Sequence, residues 1–267
     1  ISACLVGSEM CIRDRVKEVP DTYGDRKLNL ETGLAERGAG DVVLDEITER
    51  ALEVALSHAD KNEGTEVVAV AMAPGGSTAS VRRALAIGAG SAVHIADEQL
   101  AGADLGLTAE TLAAAIRRGA PDLVITGNLS TDGSGGVMAA MLAEHLGWAH
   151  ATALTSVEIT PEGITGTRGA DAGAQPISAS LPAVISITEA LPDARFPNFK
   201  GIMAAKKKPL EVLTLDDLGV SADPGAAPRT IMTSVAEKPP RAAGVKIVDE
   251  GDAAEKLVDY LVQNRLV

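Results

Sequence analysis

The sequence predicts an α/β protein with a doubly wound parallel sheet, a small antiparallel extension and a C-terminal arm. Two observations support the sheet: short β-branched apolar runs alternate with helical segments, and Gly-rich turns join several of them. With 267 residues, 46% of them hydrophobic, the chain is long enough to bury a sizeable core. Ligands of such sheets bind beyond the carboxyl ends of the strands, so these turns are the first candidates for a site.

The predicted elements follow one another in strand, turn and helix order. Residues 43–59 carry apolar side chains at helical spacing, and residues 65–72 form the β-branched run expected of a strand buried on both faces. A Gly/Ser-rich turn then leads into a second helix, with Ser77 or Thr78 as its N-cap. The same succession continues with strands at 91–96 and 123–127 and helices at 108–122 and 135–147.

The sequence pattern changes after Ala151, where the next strands are not followed by helical spacing. Short apolar runs joined by Gly and Pro turns extend to about residue 188, which predicts an antiparallel extension of the sheet. Residues 190–244 are rich in proline and show little periodicity, which is typical of an arm that lies over another surface. A last helix is predicted within 252–267.

The first fifteen residues fit this plan poorly. An apolar strand is expected before Val16, but Glu9, Arg13, Asp14 and Arg15 place four charges there. We therefore exclude this segment from functional reasoning. The predicted organisation is a non-native or disordered segment over 1–15, an α/β nucleotide-binding domain over 16–190, and a recognition loop with a C-terminal arm over 191–267.

Composition excludes several classes of function. Lys and Arg total 24 against 37 Asp and Glu, and a net charge of −13 with 2% aromatic residues disfavours nucleic-acid binding. No apolar run reaches the roughly 18 residues of a membrane span, so we expect no membrane insertion and a cytoplasmic protein. The histidines are scattered without ligand spacing, and no catalytic triad or carboxylate pair emerges. We therefore predict neither a metal site nor catalytic residues.

The strongest chemical motif is the turn after the strand predicted at 123–127. Small residues let main-chain N–H groups approach an anion, hydroxyls add donors, and the following helix N-terminus carries partial positive charge. The motif is neither the dinucleotide glycine pattern nor a P-loop, because no lysine follows the glycines. From the residues alone it is either a phosphate-binding turn or a plain strand–helix connection. Its residues are Gly127, Asn128, Ser130, Thr131, Asp132, Gly133, Ser134, Gly135 and Gly136.

Two further Gly-rich segments are weaker candidates. The turn at 73–80 also follows a predicted strand, which would allow it to line the same crevice as the first turn. The segment at 168–175 is more typical of a hairpin turn than of a binding site.

Several segments together resemble the β subunit of electron transfer flavoprotein. "VKEVPDT" at 16–22, "LVITGNLSTDG" at 123–133 and "AEHLG" at 143–147 occur in the order that the family shows. The most specific segment is "ARFPNFKGIMAAKKKPLEVLTLDDLGV" at 194–220, which is similar to the family's signature region almost throughout. The resemblance extends from about residue 16 to the C-terminus.

The resemblance implies a Rossmann-like sheet of the adenine-nucleotide-binding type, in a heterodimer with an electron transfer flavoprotein α subunit. In the family the α subunit holds most of the FAD, whereas the β subunit buries an AMP of structural role. The AMP lies against residues matching 123–136, with further contacts from positions that match Met72 and the segment 42–45. The resemblance thus adds Leu123, Met72 and Asp45 to the nucleotide site, and it places Thr22 and Leu44 near the flavin ring.

The resemblance also implies a docking loop and a function. In the family an apolar side chain from this loop enters a pocket on acyl-CoA dehydrogenases, and the carrier delivers the electrons to a membrane quinone oxidoreductase during fatty acid β-oxidation. Phe199 is at the matching position, so one apolar anchor with a basic rim is expected. The residues assigned to docking are Phe199, Ile202, Met203, Lys206, Lys207 and Lys208.

Two other functions compete with this carrier function. A flavin-bifurcating subunit would bind a second FAD in place of AMP and oxidise NADH. The sequence of the turn at 127–136 discriminates poorly between AMP and FAD as its ligand. A free-standing nucleotide sensor would share only the fold and would be stable without an α subunit.

Overall fold

The computed structural model describes residues 10–24, 26–223, 225, 229–241 and 243–267. The chain forms two compact units, of which the first ends at Thr233 and the second is Ser234–Val267. Among the helices of the described residues, none is both long and apolar enough to cross a membrane.

The strands of the described residues all belong to the first unit. In chain order they are β1 Met10–Val16, β2 Glu18–Pro20, β3 Val42–Leu44, β4 Thr65–Met72, β5 Ser91–Ile95, β6 Leu123–Gly127, β7 Ala149–Thr160, β8 Gly163–Ala170, β9 Gly173–Ser180, β10 Ala183–Ile187 and β11 Leu210–Leu213.

The α-helices connect these strands and extend into the second unit. They are α1 Glu46–Ala59, α2 Thr78–Ile87, α3 Leu105–Arg117, α4 Met138–Leu146, α5 Phe199–Ala205, α6 Leu215–Leu218 and, in the second unit, α7 Ala253–Gln263.

Nine strands form one sheet in the order β11-β5-β4-β1-β6-β10-β7-β8-β9, while β2 and β3 pair separately. The strands from β11 to β7 are parallel, and β8 and β9 continue the sheet in antiparallel pairing. This confirms the predicted doubly wound sheet with its antiparallel extension. The chain winds outward from β1 in one direction through β4 and β5, and in the other through β6 and β10. The switch point is therefore beside β1.

Helices cover both faces of the parallel part of the sheet. Leu52 of α1 and Leu85 of α2 pack into the core on one face, with apolar side chains of β1, β4 and β6. Leu112 of α3 and Leu142 of α4 pack into a second core on the other face. Because both faces are covered, the central strands are apolar almost throughout, as the β-branched runs predict.

Strand β1 corrects one prediction. Residues 10–15 were expected to be disordered, but Met10–Val16 pairs with β4 on one side and with β6 on the other. Main-chain hydrogen bonds to two neighbours do not depend on side-chain polarity, and Ile12 and Val16 still enter the core. The expectation of disorder is wrong for these residues, residues 1–9 lie outside the described residues, and the suggestion that the segment is non-native stays a prediction.

The predicted domain boundary after residue 190 is also wrong. Strand β11 pairs in parallel with β5 and so completes one edge of the main sheet. The side chains of Ala205, at the end of α5, and of Leu215, in α6, are buried. The sequence did not predict this pairing because β11 is short and follows three lysines.

Asp14 generates a prediction about stability. Side chains alternate along a strand, so Asp14 points to the same apolar face as Ile12 and Val16. It is fully buried, and within the described residues neither of its carboxylate oxygens has a hydrogen-bond partner. Burial raises the pKa of Asp14 well above its ordinary value. We expect Asp14→Val to increase the free energy of unfolding at pH 8 by at least about 2 kcal/mol, since an unpartnered buried polar group is removed.

The pH dependence gives the control for this prediction. Below its raised pKa the folded state holds Asp14 protonated, whereas the unfolded chain ionises it above about pH 4. Its cost to stability therefore grows as pH rises from about 4 through the raised pKa of the folded state. Asp14→Asn should remove this pH dependence without adding apolar burial. Urea unfolding at pH 5 and pH 8 measures both effects, and an Asp14→Val protein no more stable than the original chain at pH 8 would contradict them.

Candidate functional site

A cavity of about 860 Å³ lies at the carboxyl ends of β1, β4 and β5, beside the switch point. Its size is within the roughly 300–1,000 Å³ of ligand pockets. Met72 lines it, and so does the Gly/Ser turn that follows β4. We call this cavity the crevice. Besides Met72, its lining includes Arg15, Lys17, Leu34, Arg37, Ala73, Pro74, Gly75, Gly76, Asp97, Leu100, Leu105, Thr108 and Met138.

The crevice combines positive charge with apolar surface. Arg15, at the end of β1, and Arg37, in the connection between β2 and β3, join Lys17 as its cationic side chains. Burial lowers the pKa of Arg15, and the nearby charges of Asp132 and Asp45 oppose this shift. A guanidinium stays protonated in proteins, so Arg15 and Arg37 give the crevice fixed positive charge, and Asp97 and Glu98 add two carboxyl groups to its lining.

The predicted turn at 127–136 lies beside the crevice, but it uses several of its amides internally. The Thr131 N–H donates to Asp45 Oδ2 at 2.8 Å, and the Gly133 N–H donates to Asp132 Oδ1 at 2.6 Å. The Ser134 N–H donates to the Ser130 carbonyl at 3.0 Å. These three amides are therefore occupied, and the turn does not offer its whole main chain to an anion.

Several amides of the turn remain open, and two of them are consecutive and lie next to helix α4. In the part of the chain that the structure describes, neither the Gly135 N–H nor the Gly136 N–H has an intramolecular acceptor. Gly136 has φ +69°, a conformation that favours glycine. Helix α4 begins directly afterwards at Met138, which itself lines the crevice. An anion at this end of the crevice would meet the two open amides and the positive end of α4.

Lys17 ties the turn to the central strand. Its Nζ lies 2.5 Å from Asp132 Oδ1 and 3.1 Å from Ser130 Oγ, and Arg37 Nη2 lies 3.7 Å from Asp132 Oδ2. Burial alone would raise the pKa of Asp132, but the hydrogen bond and charge of Lys17 hold it below its ordinary value. Burial lowers the pKa of Lys17 despite this partner, so desolvation offsets part of the ion pair's attraction.

The remaining predicted nucleotide residues have different surroundings. Leu123 begins β6 and is fully buried at the amino end of that strand, opposite the crevice, so its assignment to the nucleotide site is wrong. Gly127 lies against α1, where a Cβ atom would be 2.7 Å from Ile47 Cγ2. Asn128 Oδ1 accepts the Leu129 N–H at 2.8 Å.

Asp45 and the two residues placed near the flavin, Thr22 and Leu44, lie at or just after the ends of β2 and β3. Asp45 is buried just before α1, and burial raises its pKa despite the hydrogen bonds from Thr131. Leu44 is also buried, at the end of β3, whereas Thr22 is exposed in the turn after β2. Their proximity to a flavin stays a prediction.

The sequence reasoning missed the charged residues of the crevice. Arg15 lies in the segment that was excluded, and Arg37 comes from a connection without periodicity. Lys17 comes just after the excluded segment, so no predicted strand end pointed to it. The turn at 73–80 was the weaker candidate, yet its first four residues line the crevice.

The docking segment, residues 191–208, is clamped to α1 by two arginines. Arg195 donates from Nε to Glu53 Oε2 and from Nη2 to Glu53 Oε1, both at 2.8 Å, and also contacts Asp60 at 2.9 Å. Arg50 donates to the Leu191 carbonyl at 2.6 Å. Bidentate guanidinium–carboxylate pairs fix orientation as well as distance, so the start of this segment is held firmly.

Helix α5 presents the apolar side chains of the docking segment. Asn198 caps it by accepting the Gly201 N–H at 2.7 Å, and α5 lies so close to α2 that a Cβ atom at Gly201 would be 2.5 Å from the Ala86 carbonyl oxygen. Phe199 is 80% exposed, and Ile202 and Met203 are about half exposed beside it in sequence. An exposed Phe on a fixed helix is suited to insertion into an apolar pocket.

The three lysines have two different environments. Lys206 and Lys207 are exposed. Lys208 instead turns inward, and its Nζ donates to the carbonyls of Leu85, Gly88 and Ala89 at 3.0, 3.2 and 2.7 Å. It therefore caps the C-terminus of α2, where a cation is favoured, and its assignment to steering a partner is wrong.

The fold and crevice define a doubly wound α/β protein of the class that binds ligands at the switch point of its sheet. The "Electron transfer flavoprotein domain" family matches residues 32–218. The proteins named electron transfer flavoprotein subunit beta in Mycobacterium bovis and Mycobacterium leprae are 43% and 42% identical to the chain, and each comparison covers 94% of this chain and 97% of the relative. The caffeyl-CoA reductase-Etf complex subunit CarD of Acetobacterium woodii is 29% identical over the same shares.

The chain belongs to the electron transfer flavoprotein family, as a β subunit. This confirms the resemblance drawn from the signature region. It is thus an electron carrier subunit of a flavoprotein, and membership implies an α-subunit partner.

The lysine environments generate a prediction. Lys208→Met should lower the free energy of unfolding by about 1–2 kcal/mol, because three carbonyls at the end of α2 lose their cationic donor. Lys206→Met and Lys207→Met are matched controls and should change it by less than about 0.5 kcal/mol, as exposed substitutions do. Urea denaturation of the three variants measures the difference. Equal effects of all three substitutions would show that Lys208 has no capping role.

Proposed function

We propose that this β subunit holds AMP in the crevice, pairs with an α subunit that carries FAD, and docks on acyl-CoA dehydrogenases through residues 191–208. The assembled carrier then passes the electrons to a membrane quinone oxidoreductase. When bound, FAD supplies the redox chemistry by accepting and releasing electrons. The residues of this chain bind the adenylate, help to orient the cofactors and present the docking segment to the partner.

The observation that supports AMP binding best is the composition of the crevice. Open amides at Gly135 and Gly136 suit a phosphate group, and Lys17 and Arg37 lie on the same side, near Asp132. Met72 lines the crevice as an apolar contact for a planar base. Apolar walls with a few convergent polar groups are typical of small-molecule sites, so the residues present fit an adenylate.

The docking proposal rests on rigidity and charge. A side chain that is already held in place loses little conformational entropy on binding, so Phe199 on its clamped helix would act as a preformed anchor. Lys206 and Lys207 add exposed positive charge to a chain whose net charge is −13. This local basic patch would speed the encounter with an acidic rim around the partner's pocket while leaving the complex short-lived.

The second unit is proposed to bind the α subunit. Helix α7 of Ser234–Val267 has no buried side chain. Leu257, Val258 and Val262 are at least half exposed. Several exposed apolar side chains on one helix are typical of a surface that a partner covers. An arm of this kind gains stability by laying its apolar side chains on a partner.

One observation favours a second candidate function. The relative from Acetobacterium woodii is named as a subunit of a caffeyl-CoA reductase-Etf complex. By analogy, this chain would bind a second FAD in the crevice and take part in flavin bifurcation with NADH. The two functions differ in the ligand of the same cavity.

The nucleotide content of the purified heterodimer tests this choice. We expect one FAD and one AMP per heterodimer when the chain is co-expressed with the α subunit from the same genome. Acid extraction, an absorbance spectrum and mass spectrometry of the extract measure both. Two FAD molecules would support the bifurcating subunit instead, and FAD without any adenylate would contradict AMP binding.

Substitution of the anchor tests docking. Phe199→Ala should lower kcat/KM for reduction by an acyl-CoA dehydrogenase by about 10- to 100-fold, the range expected when a hot-spot side chain is lost. Flavin and AMP content should stay unchanged, because Phe199 is exposed and does not line the crevice.

Phe196→Ala is the matched control. It removes an aromatic side chain that is 90% exposed in the same segment but is not at the position that the family resemblance assigns to docking. We expect a smaller effect from this substitution. Wild-type reduction kinetics in the Phe199→Ala protein would refute the docking assignment.

A further inference from the structure

Glu18 is a buried carboxylate next to the crevice that does not line it. Its Oε1 accepts the Ser77 hydroxyl at 2.6 Å, and its Oε2 accepts the Ser80 hydroxyl at 2.5 Å. Glu18 is 8% exposed and Ser77 is 6% exposed, so this network is largely shielded from water. Both serines belong to the turn and first helical residues after β4, and the Glu18 carbonyl also accepts a hydrogen bond from Arg37 at 3.1 Å.

Neighbouring residues at the end of the central strand bind opposite walls of the crevice. Successive side chains of an extended chain point in opposite directions, so Lys17 and Glu18 diverge. Lys17 reaches Ser130 and Asp132 in the turn before α4, as described above. Glu18 reaches the turn before α2, whose residues Gly75 and Gly76 line the crevice.

We propose that Glu18 is a positioning residue for the adenylate site. By accepting both serine hydroxyls it holds the turn after β4 at a fixed distance from the start of β2, where the chain leaves β1, and thereby sets the width of the crevice where Gly75 and Gly76 face the ligand. This inference rests on the proposed function, since it concerns AMP binding to the same crevice. Nothing in the sequence motifs assigned a role to Glu18.

A glycine turn needs such support from outside. Gly75 and Gly76 have no side chains to pack, and a Cβ atom at either position would meet no atom within 4 Å. Their backbone is therefore held by hydrogen bonds, such as that of 3.3 Å from the Thr78 hydroxyl to the Gly75 carbonyl, and by the residues that follow. Ser77 and Ser80 supply further contacts, and a shared carboxylate couples them to the start of β2, directly after Lys17. Hydrogen bonds to a charged acceptor are the stronger class.

The test measures the Kd for AMP by calorimetry on nucleotide-depleted heterodimer. Glu18→Met, which keeps the length of the side chain but accepts no hydrogen bond, should raise the Kd at least about tenfold, equivalent to about 1.4 kcal/mol. Glu18→Gln can accept one hydroxyl and donate to the other, so it should restore the Kd to within about threefold of the wild type. This rescue would not follow if the residue only filled space.

A coupled variant and a matched control complete the design. The double substitution Ser77→Ala with Ser80→Ala should raise the Kd as much as Glu18→Met, and combining all three should add nothing, because they form one network. Should Glu18→Met fail to fold, the serine double variant alone carries the test. Glu49→Gln removes a carboxylate that pairs with Arg83 at 2.5 Å between α1 and α2, and it should leave the Kd unchanged.

The outcomes separate this inference from the proposed function. A wild-type heterodimer that binds no AMP contradicts the proposed function, and the inference falls with it. A wild type that binds AMP while Glu18→Met and the serine double variant bind it equally well overturns the positioning role alone.

Discussion

The crevice depends on the way the chain leaves the central strand. Two adjacent residues, Lys17 and Glu18, hold the turns that follow β6 and β4 through side-chain hydrogen bonds of 2.5 to 3.1 Å. Both turns are rich in glycine and serine and have little packing of their own. The geometry of the site therefore depends on the chain segment that leaves β1, to which both turns are tied.

The docking segment is also held in place by side-chain contacts to neighbouring elements. Its apolar side chains are exposed, but the main chain beneath them is fixed by Arg50, Arg195 and Lys208, each of which contacts a carbonyl or a carboxylate of a neighbouring element. Within this short segment, some side chains are exposed for docking, whereas Arg195 and Lys208 hold the main chain in place. Lys208 belongs to a run of three lysines in the sequence, but in the structure it helps to hold the segment against α2.

Much of the fold was predictable because its signals are local. The β-branched runs and the helical spacing predicted the parallel strands and their helices. The Gly and Pro turns predicted the antiparallel extension. Strand β1 was not predictable, because its main-chain pairing with β4 and β6 is non-local and overrides the charges of Arg13, Asp14 and Arg15. At the site, the turn before α4 was recognised from its composition. The occupation of the Thr131 amide by Asp45, 86 residues away, requires the tertiary structure.

The most direct test of this account is a crystal structure of the heterodimer purified with its natural ligands. We predict electron density for an adenylate in the crevice, with its phosphate at the amides of Gly135 and Gly136 and its base toward Met72. The Glu18 carboxylate should still contact both serines in that structure. Density for an adenylate elsewhere on this chain, or an empty crevice in a heterodimer with full FAD content, would contradict it.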